Sequence, residues 1–154
     1  MTTNPPRSAF THIVAFEVSK DELVVHTLPV DEQCTIDNRP VSVRRLIRAE
    51  IKRNKKDRLG QMLVICEATG GYECHVLDVA LEMGVAVHRA HGARVRHFGR
   101  YRGLLAKTDP IEAAMIARFV EATRPEPRPL ADEATQLRNR NGALRCGGSG
   151  RARS

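Results

Sequence analysis

Two runs of β-favouring residues, His12 to Val18 and Leu23 to Val30, flank the polar stretch Ser19-Lys20-Asp21-Glu22, a pattern that predicts an antiparallel hairpin. Gln33 to Ile36 adds a candidate third short strand. The period then changes. Between Val43 and Lys56, Val43, Leu46, Ile47 and Ile51 fall on one stripe and Arg44, Arg48, Lys52 and Lys55 on another, which predicts an amphipathic helix ended by the glycine of Leu59-Gly60. Met62-Leu63-Val64-Ile65-Cys66 is continuously apolar, as in a strand covered on both faces. Tyr72 to Met83 is helical again, with Tyr72, Val76, Val79, Ala80 and Met83 on one side, and Val85 to His88 returns as a strand after Gly84. Strand, helix and strand within about 30 residues make a βαβ unit with parallel strands. A hairpin joined to such a unit predicts a mixed sheet in the α/β class.

Beyond that unit, His91 to Lys107 is basic and punctuated by glycine, which predicts a connector. Pro110 to Thr123 is a strong helical pattern whose buried side is expected to be Ile111, Met115, Phe119 and Val120. Prolines alternate through Arg124-Pro125-Glu126-Pro127-Arg128-Pro129 and force an extended linker, after which Asp132 to Asn139 starts another helical pattern. From Gly142 the chain is rich in Gly, Arg and Ser without periodicity. The expected organisation is a disordered tail over 1–11, one domain over 12–123, a linker over 124–141 and a disordered tail over 142–154.

Composition narrows the partners. The 154 residues suit one domain with a real core, and the net charge of +7 favours a polyanion such as nucleic acid. Aromatic residues make up only 4% and Trp is absent, which argues against base stacking as the main mode of contact. The four cysteines form no C-x-x-C pair, so zinc spacing is missing and Cys66 reads as a buried small hydrophobe. With no signal-peptide pattern, the expected compartment is a reducing cytoplasm. The apolar runs are shorter than the roughly 20 residues a membrane span needs.

The acids are the candidate chemistry. Glu17 shares a strand face with Ile13 and Ala15, where a charge needs a cation, hydrogen bonds or an exposed strand end. Glu67 ends the most apolar strand and precedes Ala68-Thr69-Gly70-Gly71. That position suits a ligand site at a carboxyl edge, with helix N-terminal amides beyond it that could face a phosphate. It equally suits a plain strand-to-helix turn. Asp109, Pro110 and Glu112 fit a capping arrangement, and the i, i+3 spacing also puts both acids on one helix face. Magnesium or manganese takes such oxygen donors, and paired ions about 3.5–4 Å apart serve phosphodiester chemistry. For phosphate contacts the candidates are Arg44, Arg48, Lys52 and Lys55, together with Arg94, Arg96, Arg100, Arg102 and Lys107. The same charges would also serve as a solvated surface.

At Glu17-Val18-Ser19-Lys20, Cys66-Glu67-Ala68-Thr69-Gly70-Gly71-Tyr72-Glu73 and Ala106-Lys107-Thr108-Asp109, followed by Glu112 and Ile116-Ala117-Arg118-Phe119, the chain resembles the N-terminal domain of the DEDD transposases of insertion-sequence family 110. The resemblance runs from about His12 to Leu130. It implies a ribonuclease-H-like fold, similar to the RuvC Holliday-junction resolvase. It also implies Mg²⁺ or Mn²⁺ held by Glu17, Glu67, Asp109 and Glu112. Glu67 and Asp109 match the family pattern, whereas Glu17 and Glu112 stand where the family has Asp and add a methylene each.

The implied function is a DNA-binding, catalytic-type domain acting in DNA transposition. The implied partners are DNA, a structured guide RNA, and further copies of the chain or full-length transposase. Family members continue into a C-terminal domain bearing a serine nucleophile. The chain is expected to stop short of it, because Ser149 lies in the Gly/Arg tail. Two other readings remain open at this point: a non-catalytic nucleic-acid-binding or oligomerisation remnant, and a stand-alone nuclease for branched DNA.

Overall fold

The structure, a computed structural model, describes residues 10–103 and 109–123, with only the backbone described at 93 and 109–111. Residues 1–9 of the expected N-terminal tail, the linker over 124–141, the tail over 142–154 and Lys107 lie outside the described residues, whereas Phe10 and Thr11, expected in the tail, open the first strand. Strands β1 (Phe10–Val18), β2 (Glu22–Leu28) and β3 (Glu32–Asp37) come first. They are followed by α1 (Pro40–Asp57), β4 (Gln61–Glu67), α2 (Cys74–Glu82), β5 (Ala86–Ala90), α3 (Gly92–Tyr101) and α4 (Asp109–Thr123). One five-stranded sheet runs in the order β3-β2-β1-β4-β5. β1 pairs antiparallel with β2 and parallel with β4, and β4 pairs parallel with β5. The expected mixed sheet, formed by a hairpin and a βαβ unit, is therefore present.

The central strand explains its own sequence. Alternate side chains of β1 enter two different cores, so both faces demand apolar residues. Val14, Phe16 and Val18 pack with Val64, Cys66, Val43, Ile47, Val76 and Leu77 under α1 and α2. Ile13 and Ala15 pack with Leu63, Ile65, Val95, Met115, Ile116, Phe119 and Val120 under α3 and α4. The edge strand β3 is mostly exposed, with only Ile36 packed against the core under α1 and α2.

Several elements differ from the sequence expectation. Helix α1 begins at Pro40, whose ring presets the first helical φ, and its left-handed residue is Arg58 (φ 53°) rather than a glycine. Gly60 is still required, because a Cβ there would collide with Thr11 Oγ1. Helix α2 starts at Cys74, so Tyr72 sits in the preceding loop, 50% exposed, instead of on the apolar side.

The supposed connector is largely helix α3. Its apolar signal is only Val95 and Phe98, too short to outweigh Gly92 and Gly99 by pattern. Packing supplies the rest: Val95 is fully buried, and the Phe98 and Phe119 rings meet edge to face at 5.8 Å. Helix α4 runs over the expected residues, with Met115, Phe119 and Val120 buried; the side chain of Ile111, also expected on that side, lies outside the described residues.

A buried polar network closes the far end of the sheet. Glu50 Oε1 lies 2.9 Å from His12 Nε2, and Asn54 Nδ2 lies 2.8 Å from His12 Nδ1 and 2.6 Å from the Gly60 carbonyl. An amide nitrogen only donates, so His12 Nδ1 accepts and Nε2–H donates to Glu50. Arg53 joins Glu50 (3.8 Å) to Glu32 (3.0 Å). Both ring nitrogens of the buried His12 are thus partnered within the fold.

Candidate metal and nucleic-acid site

The carboxyl ends of β1 and β4 lie side by side because the two strands are parallel. Their ladder reaches Phe16↔Cys66, and one further step sets Glu17 beside Glu67. Both belong to the face of Ile13, Ala15, Leu63 and Ile65, the side covered by α3 and α4. Neighbouring strands are about 4.8 Å apart, so two carboxylates share one edge position. Both are half-buried.

Helix α4 brings the third acid. The pKa of Glu67 is raised above its ordinary 4.5 by burial first and by the negative charge of Glu112 second, with Arg96 opposing both. Arg96 comes from α3, whose first residue, Gly92, leaves room for the approach. A Cβ at Gly92 would stand 3.2 Å from both Glu67 Oε1 and Arg96 Nη1. Asp109 is the first residue of α4, one turn before Glu112; its side chain lies outside the described residues. The position of α4 is tied to the β2–β3 turn by Asp31, whose Oδ1 lies 2.7 Å from His26 Nε2 and 3.4 Å from Arg118 Nη2.

The loop after Glu67 is organised by a residue that spacing did not single out as functional. Glu73 is 3% exposed and occupies the N-cap position of α2, yet it does not cap that helix. Its Oε1 instead accepts from Thr69 N–H (3.0 Å), Thr69 O–H (2.8 Å) and Gly71 N–H (3.0 Å), while Oε2 faces Arg89 Nη1 at 3.3 Å. Burial pushes its pKa up, but hydrogen bonding to its own backbone N–H, followed by the Thr69 and Gly71 donors, outweighs burial and holds it below 4.5. The two loop amides at Thr69 and Gly71 are thus filled by the chain's own carboxylate rather than offered to a phosphate.

Asn38 performs a similar service, donating from Nδ2 to the carbonyls of Ser19 (2.8 Å) and Tyr72 (3.0 Å). The signal for Glu73 was a Thr and a Glu four residues apart around a Gly-Gly turn. Asn38 carries no local signal, since its partners are 19 and 34 residues away.

The basic candidates divide between the two faces. Arg94, Arg96, Arg100 and Arg102 are exposed on or just after α3, beside the acids, with Arg102 stacked 5.6 Å from the Phe98 ring centroid. Arg48, Lys52 and Lys55 are exposed on α1, across the sheet, and Arg44 is paired with Glu82 at 3.1 Å. The structure brings Glu17, Glu67, Glu112 and Arg96 into one neighbourhood and leaves the α1 cations outside it.

The donor chemistry of this neighbourhood fits a hard divalent cation. Its carboxylate oxygens come from three elements, and the opposition of Glu67 and Glu112 is relieved by positive charge. Among the described residues, no three His, Cys, Asp or Glu side chains are close enough to form a ready metal cage.

A family model for transposases of the IS110 DEDD type matches residues 14–143. That span is well over half of the chain. The chain belongs to this transposase family. The sheet order and the two helical layers are those of a ribonuclease-H-like fold. In agreement, the structure of T. thermophilus RuvC, solved in complex with Holliday junction substrate, aligns with a TM-score of 0.50 at 14% identity, over 77% of this chain and 99% of RuvC. No curated protein matches the transposase chain. No helix among its described residues is long and apolar enough to cross a membrane.

Proposed function

We propose that residues 12–123 form a DNA-cutting domain of a transposase, in which Glu17, Glu67, Asp109 and Glu112 hold Mg²⁺ or Mn²⁺. The observation that carries this reading is the parallel pairing of β1 with β4, which brings the strand ends bearing Glu17 and Glu67 together beside Gly92 and Arg96 of α3, with Glu112 of α4 near enough to raise the pKa of Glu67. When bound, a divalent pair supplies charge stabilisation to the attacking and leaving oxygens of a phosphodiester. Glu17 and Glu67 provide oxygen donors at adjacent strand ends. Glu112 and Asp109 contribute from the first turn of α4, and the methylene added at positions 17 and 112 lengthens the reach of each arm.

Arg94, Arg96, Arg100, Arg102 and Lys107 would take the phosphates of the DNA being cut. Arg44, Arg48, Lys52 and Lys55 would serve a second backbone across the sheet, a structured guide RNA being the partner we assign to it. Self-association of the chain in a cytoplasmic setting completes the proposal.

The test is cleavage of branched and linear DNA by the full chain with Mn²⁺. The proposal expects cutting that needs the metal and is lost in Asp109→Ala and Glu67→Gln. A second reading, a non-catalytic nucleic-acid-binding domain, is favoured by the lack of a ready three-ligand cage among the described residues. Undiminished DNA binding with no Mn²⁺ binding by calorimetry would select it and sink the catalytic proposal.

A further inference from the structure

We infer that Glu73 is a positioning residue for the site, holding Glu67 in place through the Thr69–Gly71 loop; this rests on the metal-binding reading of Glu67 given above. A carboxylate 3% exposed is costly to bury unless its oxygens are satisfied, and here both are. One oxygen gathers three donors from the loop that leaves β4. The other is fixed by Arg89, which sits beside Cys66 in the β4–β5 ladder.

Glu73 is thereby anchored on both sides of the strand end that presents Glu67. The route from Glu67 to Thr69 is two residues long, and Ala68 N–H is pinned to the Ala90 carbonyl at 3.2 Å. Gly70 and Gly71 take positive φ (82° and 123°), so the loop has little rigidity of its own, and the carboxylate supplies the restraint that the glycines give up. The effect of Glu73 on metal passes through Glu67 alone, as outer hydrogen bonds orient inner ligands elsewhere.

The experiment compares the full chain with Glu73→Ala, Glu73→Gln and Thr69→Val. Three readouts are used: Mn²⁺ affinity by calorimetry, amide exchange at Thr69 and Gly71, and the nuclear Overhauser effect between Gly92 Hα and Glu67 Hγ. Glu50→Ala, which breaks the buried His12 network at the far end of the sheet, serves as a control for loss of stability alone. The expected result is at least about tenfold weaker Mn²⁺ binding in Glu73→Ala, in line with the usual cost of removing an outer-shell partner. Faster exchange at both amides and disappearance of the Gly92–Glu67 effect should accompany it, with smaller changes in Glu73→Gln and Thr69→Val.

Unchanged Mn²⁺ affinity and an intact Gly92–Glu67 effect in Glu73→Ala, despite faster amide exchange, would overturn the inference. So would an equal loss of affinity in Glu50→Ala at matched melting temperature, because stability alone would then account for it. If the unaltered chain binds no Mn²⁺, the metal reading fails by itself. The Gly92–Glu67 effect then decides the positioning role, its disappearance in Glu73→Ala supporting it and its persistence overturning it.

Discussion

Glu67 and Glu112, on a strand and a helix 45 residues apart in the chain, oppose each other at the carboxyl edge of the sheet. Neutralising one of them should therefore relieve the fold while weakening any cation site. The folded pKa of Glu67 lies above 4.5, so the folded chain holds this proton more tightly than the unfolded chain, and stability falls as pH rises from about 4.5 through the folded value. Glu67→Gln is expected to raise the melting temperature at pH 7 by on the order of 2 °C, since such partly solvated repulsions are modest. The gain should vanish below the ordinary carboxylate range. A lower melting temperature at pH 7 in the variant would contradict the repulsion.

Glu73 has the opposite sign. Its folded pKa lies below 4.5, so its contribution is present above that pH and lost as pH falls through the folded value. Glu73→Gln should cost roughly 2 kcal/mol at pH 7, the usual scale for hydrogen bonds to a buried charge. Urea titrations at pH 7 and pH 3 check this, with the gap between variant and parent narrowing in acid.

Asn38→Ala removes two donors that bind the Ser19 and Tyr72 carbonyls together. A loss of about 1–3 kcal/mol is expected, because a buried side chain at the crossing of two loops leaves both carbonyls short of a partner. Asn38→Asp should be no better, since a carboxylate cannot donate to a carbonyl. Recovery of stability in the Asp variant would refute the donor role.

Glu50→Ala leaves His12 Nε2–H buried without its acceptor. It should destabilise the chain by about 1–3 kcal/mol, yet leave DNA affinity unchanged after correction for folding, since this network sits at the far end of the sheet. Thermal unfolding and filter binding together separate the two effects.

The salt dependence of DNA binding separates the two basic surfaces. Replacing Arg94, Arg96 and Arg100 by Ala should lower the logarithmic salt slope by about 2–3, near 0.9 for each phosphate that is no longer neutralised. For the segment bound beside the acids, the same change at Arg48, Lys52 and Lys55 should matter far less. Equal effects from both triples would show one continuous binding surface instead.

Much of the fold was legible because burial imposes a period on the chain. The apolar run Met62–Cys66 announced a strand covered on both faces, and the stripe Val43-Leu46-Ile47-Ile51 announced a helix. The helix α3 was not legible, because Val95 and Phe98 make a signal of two residues that only Phe119, packed from another element, turns into a stable helix. Tyr72 was misplaced for a related reason: period alone cannot say where a helix starts when Glu73 spends its carboxylate on the preceding loop.

For the acids, the sequence by itself determined their types and their places at strand and helix ends. Their resemblance to the transposase pattern was likewise readable there. Only the tertiary structure decided that parallel pairing of β1 with β4 sets Glu17 next to Glu67, that α4 carries Glu112 onto the same edge, and that the two basic segments occupy opposite faces. Local periodicity records which residues are buried. Which distant charges meet depends on strand order and on the side of the sheet each helix covers, and no short stretch of sequence encodes those.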